Sequence, residues 1–283
     1  MADMKDFGEY ETAWCPGCGN FGILDALKKA LAACGLSPHE VLIVSGIGQA
    51  AKTPHYLNVN VFNGLHGRAI PVATGAKLAN PGLTVIAESG DGCMYGEGGN
   101  HFLSAIRRNI NITAIVHDNQ VYGLTKGQAS PTSDEGFVTK AQPDGAYSSQ
   151  FNPLAVAIAL GAGFVARGYA GMKEHLAGLI ARAITHRGFA LVDILQPCVS
   201  FNKVNTYAWY KERCYELSAD YDPSNRALAF KTALLFGDRI PLGVIYEAGR
   251  PVFEDHFLAL RNGPLAAQET GLDKLGIIIA GLA

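Results

Sequence analysis

Charge is scarce in this sequence. Only 17% of its 283 residues are Asp, Glu, Lys or Arg, and the net charge is −2. No run of lysine and arginine breaks that balance, so nucleic acid is excluded as an expected ligand. No apolar run reaches the roughly 18 residues that a membrane-spanning helix needs, so no membrane association is expected. The N-terminal stretch MADMKDFGEYETAW is acidic and has no apolar h-region, which argues against a secretory signal. Internal repeats and low-complexity tracts are also missing.

Acid is missing most informatively between Gln49 and Ala87, where there is no Asp or Glu at all. The segment just before, VSGIGQAA (44–51), imitates a dinucleotide fingerprint. A nicotinamide enzyme would need an acidic residue about 20 positions on to hold the ribose hydroxyls. The dehydrogenase reading fails there. The glycines still allow backbone N–H groups to crowd against a phosphate.

Apolar residues make up 48% of the chain, and 33 residues are glycine. From about 41 to 195 short β-branched runs alternate with helical patterns. The strands expected are 41–45, 84–89, 112–119, 163–169 and 189–195. The helices expected are 21–35, 98–109, 152–162 and 173–188, with a loop leading into a small-residue helix over 63–80. This alternation predicts an α/β fold with a doubly wound, mostly parallel sheet. Ligands of such sheets bind beyond the carboxyl ends of the strands. The segment 120–151 is polar and too long for an idle connection. Regular alternation fades after about 217. The expected division is therefore a main domain over 1–217 and a C-terminal extension over 218–283 that faces a partner.

Six cysteines without a secretory signal read as free thiols of a reducing compartment, the cytoplasm. Cys15 and Cys18 flank a Pro-Gly turn in WCPGCGN, a spacing that lets two sulfurs face one metal or cluster. Two thiolates are half of a four-coordinate site. At the strand ends, SGDGCMYG (89–96) offers Asp91 between Gly90 and Gly92, and HDNQVYG (117–123) offers Asn119. Either one alone is commonly a turn residue. Together, at the ends of two successive strands, they form a hard-oxygen set that suits Mg²⁺ bound to a cofactor's phosphates.

GDG followed by Asn just under thirty residues later is similar to the thiamine-diphosphate signature. Read with WCPGCGN, VSGIG, LHGRA (65–69), VYGLTKGQASPT (121–132) and LQPC (195–198), the chain resembles the β subunit of 2-oxoacid:ferredoxin oxidoreductases over residues 14–217. The resemblance implies the thiamine-diphosphate fold, with Mg²⁺ held by Asp91, Asn119 and the carbonyl of Val121. It implies a diphosphate cradle of Ser45, Gly46, Gly48, Gly90 and Gly92, with His66 near the cofactor and its reactive ring. Lys52 and Lys126 would orient a substrate carboxylate, and Leu124 would shape the pocket. A [4Fe–4S] cluster would be held by Cys15, Cys18 and Cys198. Gln49 stands where the family has a fourth cysteine, so a fourth ligand would come from another cysteine, a partner chain or a small molecule.

The implied activity is oxidative decarboxylation of a 2-oxoacid to acyl-CoA and CO₂, with electrons passing to ferredoxin. LTKGQASPT leans toward 2-oxoglutarate or a broad substrate range. An α subunit would supply the pyrimidine-binding half, without which the chain would be inactive. The alternative is a non-oxidative 2-oxoacid decarboxylase subunit whose cysteines are structural or metal-free. The other histidines, His117 among them, are expected to be packing or surface residues.

Overall fold

The strands bury both faces because consecutive apolar side chains point to opposite sides of the pleat. Ile43, Ile86 and Ile115 join one core, while Val44, Ala87, Ala114 and Val116 join the other. The structure is a computed structural model that describes residues 3–268 and 271–282.

After helix α1 (Asn20–Ala33) come β1 (Val41–Ser45), the short edge strand β2 (Asn60–Asn63), α2 (Ala69–Ala79) and β3 (Thr84–Gly90). A π-helical turn, Gly92–Glu97, leads into α3 (Gly99–Arg108), and β4 (Thr113–Asp118) follows. The long polar segment contains a small hairpin, β5 (Val121–Tyr122) and β6 (Gln128–Ala129). Then come α4 (Pro153–Ala159), β7 (Phe164–Tyr169), α5 (Lys173–Thr185) and β8 (Ala190–Leu195). The chain continues through α6 (Tyr207–Arg213), β9 (Cys214–Glu216), α7 (Arg226–Ala233) and β10 (Ile240–Glu247) to α8 (Leu272–Ala280).

Eight strands form the main sheet in the order β2-β1-β3-β4-β8-β7-β10-β9. All neighbours are parallel except β10 against β7. Helices α1 and α5 cover one face, with Leu27, Leu31, Leu176 and Ile180 buried there. Helices α2, α3, α4 and α7 cover the other, with Ile70, Phe102, Ile158 and Ala229 buried. The doubly wound sheet expected from the sequence is present. No helix among the described residues is long and apolar enough to cross a membrane.

The chain beyond 217 does not leave the core at once. Helix α7 packs into the sheet's helix layer and β10 lies within the sheet itself, so the expected boundary at 217/218 coincides with no break in the core. Pro241 and Gly243 interrupt the apolar run of β10 and mask it in the sequence. After Glu247 the described chain is mostly short 3₁₀ turns and α8, whose Leu275, Ile277 and Ile278 are exposed.

The parallel arrangement puts the ends of β1, β3, β4 and β8 on one edge. The loops after them carry Ser45-Gly46-Ile47-Gly48-Gln49, Asp91-Gly92, Asn119 and Gln196-Pro197-Cys198.

Candidate functional site

Asp91 leaves β3 buried, and its Oδ2 accepts hydrogen bonds from the hydroxyls of Ser130 and Thr132, the latter at 2.7 Å. Both hydroxyls come from the long polar segment, which therefore folds back to hold the carboxylate. The Thr132 Oγ1 also lies 2.7 Å from Oδ1 of Asp118. One hydroxyl proton cannot serve two carboxylates. Burial, followed by the charges of Asp193 and Asp91, pushes the Asp118 carboxyl well above the usual range. The Thr132 hydroxyl therefore bridges the two carboxyl groups, donating to one while standing within hydrogen-bond distance of the other. Burial also raises the Asp91 carboxyl, and the two hydroxyl donors offset part of that rise.

At the end of β4 the Asn119 Oδ1 accepts from the N–H of Val121 at 3.0 Å, across a turn in which Gln120 has φ +58°. Asn202 donates to the Asn119 carbonyl at 3.1 Å and pins the turn from the other side. Asp91, Asn119 and Val121 line one cavity together with Gly90, Gly92 and His66. Gly48, Gln49 and Leu124 line it as well.

Two glycines are required by close approach. A Cβ on Gly92 would meet the Tyr122 ring at 2.2 Å, and one on Gly46 would meet the Cys93 Sγ at 2.3 Å. The Cys93 sulfur accepts from the N–H groups of Gly67 at 3.1 Å and Ile47 at 3.4 Å, and so fastens the glycine loop. Ser45 is buried, donating to Asn63 at 3.0 Å. Lys52 lies in a 3₁₀ turn outside the cavity lining, and Lys126 is exposed at φ +86°, two residues beyond Leu124.

His66 Nδ1 stands 3.2 Å from Oε2 of Glu97, an ion-pair distance, but off the line that a ring N–H bond requires. The Tyr122 hydroxyl donates to the same oxygen at 3.2 Å. Catalytic hydrogen bonds are often loose before a ligand is bound. Glu97, Tyr122, Ser130, Thr132 and Asp118 were not foreseen. Ser130 lies 39 residues from Asp91, and nothing in a polar loop's composition announces such a pairing.

Cys15, Cys18 and Cys198 line a second cavity beside the first, with Gln49, Asn119 and Gly123 common to both. The N–H of Cys18 bonds the Cys15 carbonyl at 3.0 Å across a turn with Gly17 at φ +80°. The N–H of Gly19 bonds the Pro197 carbonyl at 3.2 Å, joining the turn to the LQPC loop. Donors already face the sulfurs: Ser200 Oγ at 3.1 Å from Cys15 Sγ and Gln196 Nε2 at 3.3 Å from Cys18 Sγ. Burial pushes the Cys18 thiol up to about 11, with Cys198 and Cys15 adding to the rise. Cys18 would ionise near neutral pH only against a cationic partner.

No group of three His, Cys, Asp or Glu among the described residues converges to hold a single metal ion. A cluster, in which each iron takes its own cysteine, needs no such convergence. Gln49 Oε1 is buried without a donor, an unmet polar atom on the wall between the cavities. A wider cavity of about 750 Å³ opens on another side of Cys18, but it contains neither Asp91 nor Asn119.

His117 is fully buried, with Nε2 at 2.8 Å from Glu88 and Nδ1 at 2.8 Å from Asn20. This network ties the segment after Cys18 to the strands that deliver Asp91 and Asn119.

Comparison with known proteins matches residues 43–194 to the thiamine pyrophosphate enzyme C-terminal TPP binding domain. Residues 198–262 match the C-terminal region of the pyruvate ferredoxin oxidoreductase β subunit. The β subunit of 2-oxoacid:ferredoxin oxidoreductase 2 from Aeropyrum pernix is 46% identical over 90% of this chain and 86% of its own. The 2-oxoglutarate oxidoreductase subunit KorB of Mycobacterium tuberculosis is 43% identical over 75% of this chain and 57% of its own. The structure of 2-oxoglutarate:ferredoxin oxidoreductase from Magnetococcus marinus, with 2-oxoglutarate, coenzyme A and succinyl-CoA bound, superposes with a TM-score of 0.92. It is 36% identical and covers 99% of this chain and 96% of that one.

Proposed function

Because the chain belongs to the β-subunit family of 2-oxoacid:ferredoxin oxidoreductases, we propose that it binds thiamine diphosphate in a complex that converts a 2-oxoacid and coenzyme A to acyl-CoA and CO₂. 2-Oxoglutarate is the favoured substrate, as the relatives named for it suggest. The observation that carries the reading is the adjacency of the two cavities: a metal–phosphate set on one side, three thiols on the other, and Gln49, Asn119 and Gly123 between them.

The residues fit the cofactors the family implies. Asp91, Asn119 and the Val121 carbonyl would hold Mg²⁺, and Gly48, Gly90 and Gly92 in the same cavity lining would let backbone approach a diphosphate. Cys15, Cys18 and Cys198 would hold the iron–sulfur cluster, with N–H and O–H donors already directed at two of the sulfurs. When bound, thiamine diphosphate supplies the electron sink for loss of CO₂, and the cluster supplies the exit for electrons.

The chain's own groups do the rest. Thr132 and Ser130 orient Asp91, while Asn202 and the Asn119 turn fix the second ligand. His66, backed by Glu97, is placed at the cavity wall to hold or move a proton at Nε2. Lys126, two residues from the wall residue Leu124, would meet a substrate carboxylate as a mobile point charge, the use to which an ammonium is suited, whereas Lys52 would reach one only from outside the cavity lining. Leu124 forms part of the wall.

An α subunit supplies the pyrimidine-binding half, and a soluble ferredoxin accepts the electrons. The part of the region beyond 217 that follows β10, with the exposed apolar residues of α8, faces that partner. The free thiols suit the reducing cytoplasm.

The test is anaerobic reconstitution of the chain with its α partner, thiamine diphosphate, Mg²⁺ and coenzyme A. Ferredoxin reduction dependent on both 2-oxoglutarate and coenzyme A is expected, with none from this chain alone. Release of an aldehyde product without coenzyme A dependence or ferredoxin reduction would instead establish the non-oxidative decarboxylase.

A further inference from the structure

Three cysteines share the second cavity, and none of the other three joins them. Cys34 donates to the Ala181 carbonyl at 3.7 Å, near the opposite end of α1 from Cys18. Cys93 is engaged by the N–H groups of Gly67 and Ile47 beneath the glycine loop. Cys214 lines the wider cavity and not the one that holds Cys15 and Cys198.

What the phosphate loop brings to the cysteine cavity is Gln49. Its carbonyl accepts from Trp14 Nε1 at 2.8 Å, which anchors the residue beside the cysteine turn. Its side-chain Oε1 is buried and has no hydrogen-bond donor. Buried polar atoms are usually completed by a protein group or an ordered water, and no protein donor among the described residues completes this one. An amide oxygen is neutral and hard, whereas the ligands iron–sulfur clusters select are soft thiolates.

Resting on the reading that Cys15, Cys18 and Cys198 hold a cluster, we propose that these three are its only thiolate ligands and that its remaining iron, on the Gln49 side, is labile. Two consequences follow from the chemistry. The site carries one negative charge fewer than a four-thiolate site, which raises its reduction potential. The iron lacking a thiolate is also the one released first. One-electron oxidation by ferricyanide would convert [4Fe–4S]²⁺ to [3Fe–4S]⁺ and free one Fe²⁺, with no thiolate bond broken.

The experiment uses the complex with the α partner, purified anaerobically and titrated with ferricyanide. Iron and acid-labile sulfide are measured alongside EPR. A Cys18→Ser complex identifies which iron and which signals belong to this site. The expected result for the native sequence is a fall from about four to about three irons at the site, with sulfide unchanged and a [3Fe–4S] signal appearing. Ferrous iron with a reductant should restore the original state. Gln49→Cys should keep all its iron under the same titration and show a lower reduction potential.

Full iron retention by the native protein, with a potential matching that of Gln49→Cys, overturns the inference and leaves the proposed function standing. Cys18-dependent zinc, or no metal, overturns the inference and the cluster assignment beneath it. The native titration decides the matter by itself should Gln49→Cys fail to fold.

Discussion

Replacing Thr132 with valine keeps the side chain's shape and removes one hydroxyl. That hydroxyl is 2.7 Å from Asp91 Oδ2 and 2.7 Å from Asp118 Oδ1. A buried hydrogen bond to a charged group contributes about 1.5–3 kcal/mol. Loss of an outer-shell partner of a metal ligand typically costs about 10–100-fold in metal affinity. The two ranges agree, since a factor of ten is about 1.4 kcal/mol. Ser130 still donates to the same oxygen of Asp91, so the carboxylate is loosened and not released. The expected outcome is therefore a Mg²⁺ affinity about 10-fold weaker, near the low end of that range. Thr132→Ser, which retains the hydroxyl, should stay close to the native value. The assay is calorimetric titration of Mg²⁺ into the αβ complex at saturating thiamine diphosphate, with thermal unfolding recorded on the same samples. Mg²⁺ affinity within twofold of native in a well-folded Thr132→Val complex would show that Asp91 is oriented without the bridge.

Gly46→Ala should destabilise the protein by about 1–3 kcal/mol because the new methyl has to push against Cys93 Sγ. Adding Cys93→Ala should recover part of that loss in a double-mutant cycle of thermal unfolding, and strictly additive effects would refute the collision. His186 is held below its ordinary pKa by burial, against the pull of Glu247, and its Nε2 is buried without a partner. The neutral ring is thus favoured in the fold: its stability contribution is complete above a pH of about 6.5 and declines below it. Urea unfolding at pH 7.5 and pH 5.5 should show the native chain losing stability relative to His186→Gln on acidification, and an unchanged difference would refute this.

The framework of the site was legible because periodicity and glycine place it. Asp91 and Asn119 follow apolar runs directly, so reading the strands amounts to reading their ends. Asn152 likewise announces the start of α4 and caps it, its Oδ1 accepting from Ala155 at 2.9 Å. Pairings across the fold stayed hidden. His117 reads as one more strand residue, and only the packing of α1 against the sheet brings Asn20 to its ring. Ser130 and Thr132 look like ordinary loop hydroxyls until the loop closes on Asp91. Strand β10 was missed for a local reason, because Pro241 and Gly243 break the apolar run that would have marked it.

Gln49, Asn119 and Gly123 line both chambers. A substitution at Gln49 or Asn119 therefore reshapes the walls of both chambers at once.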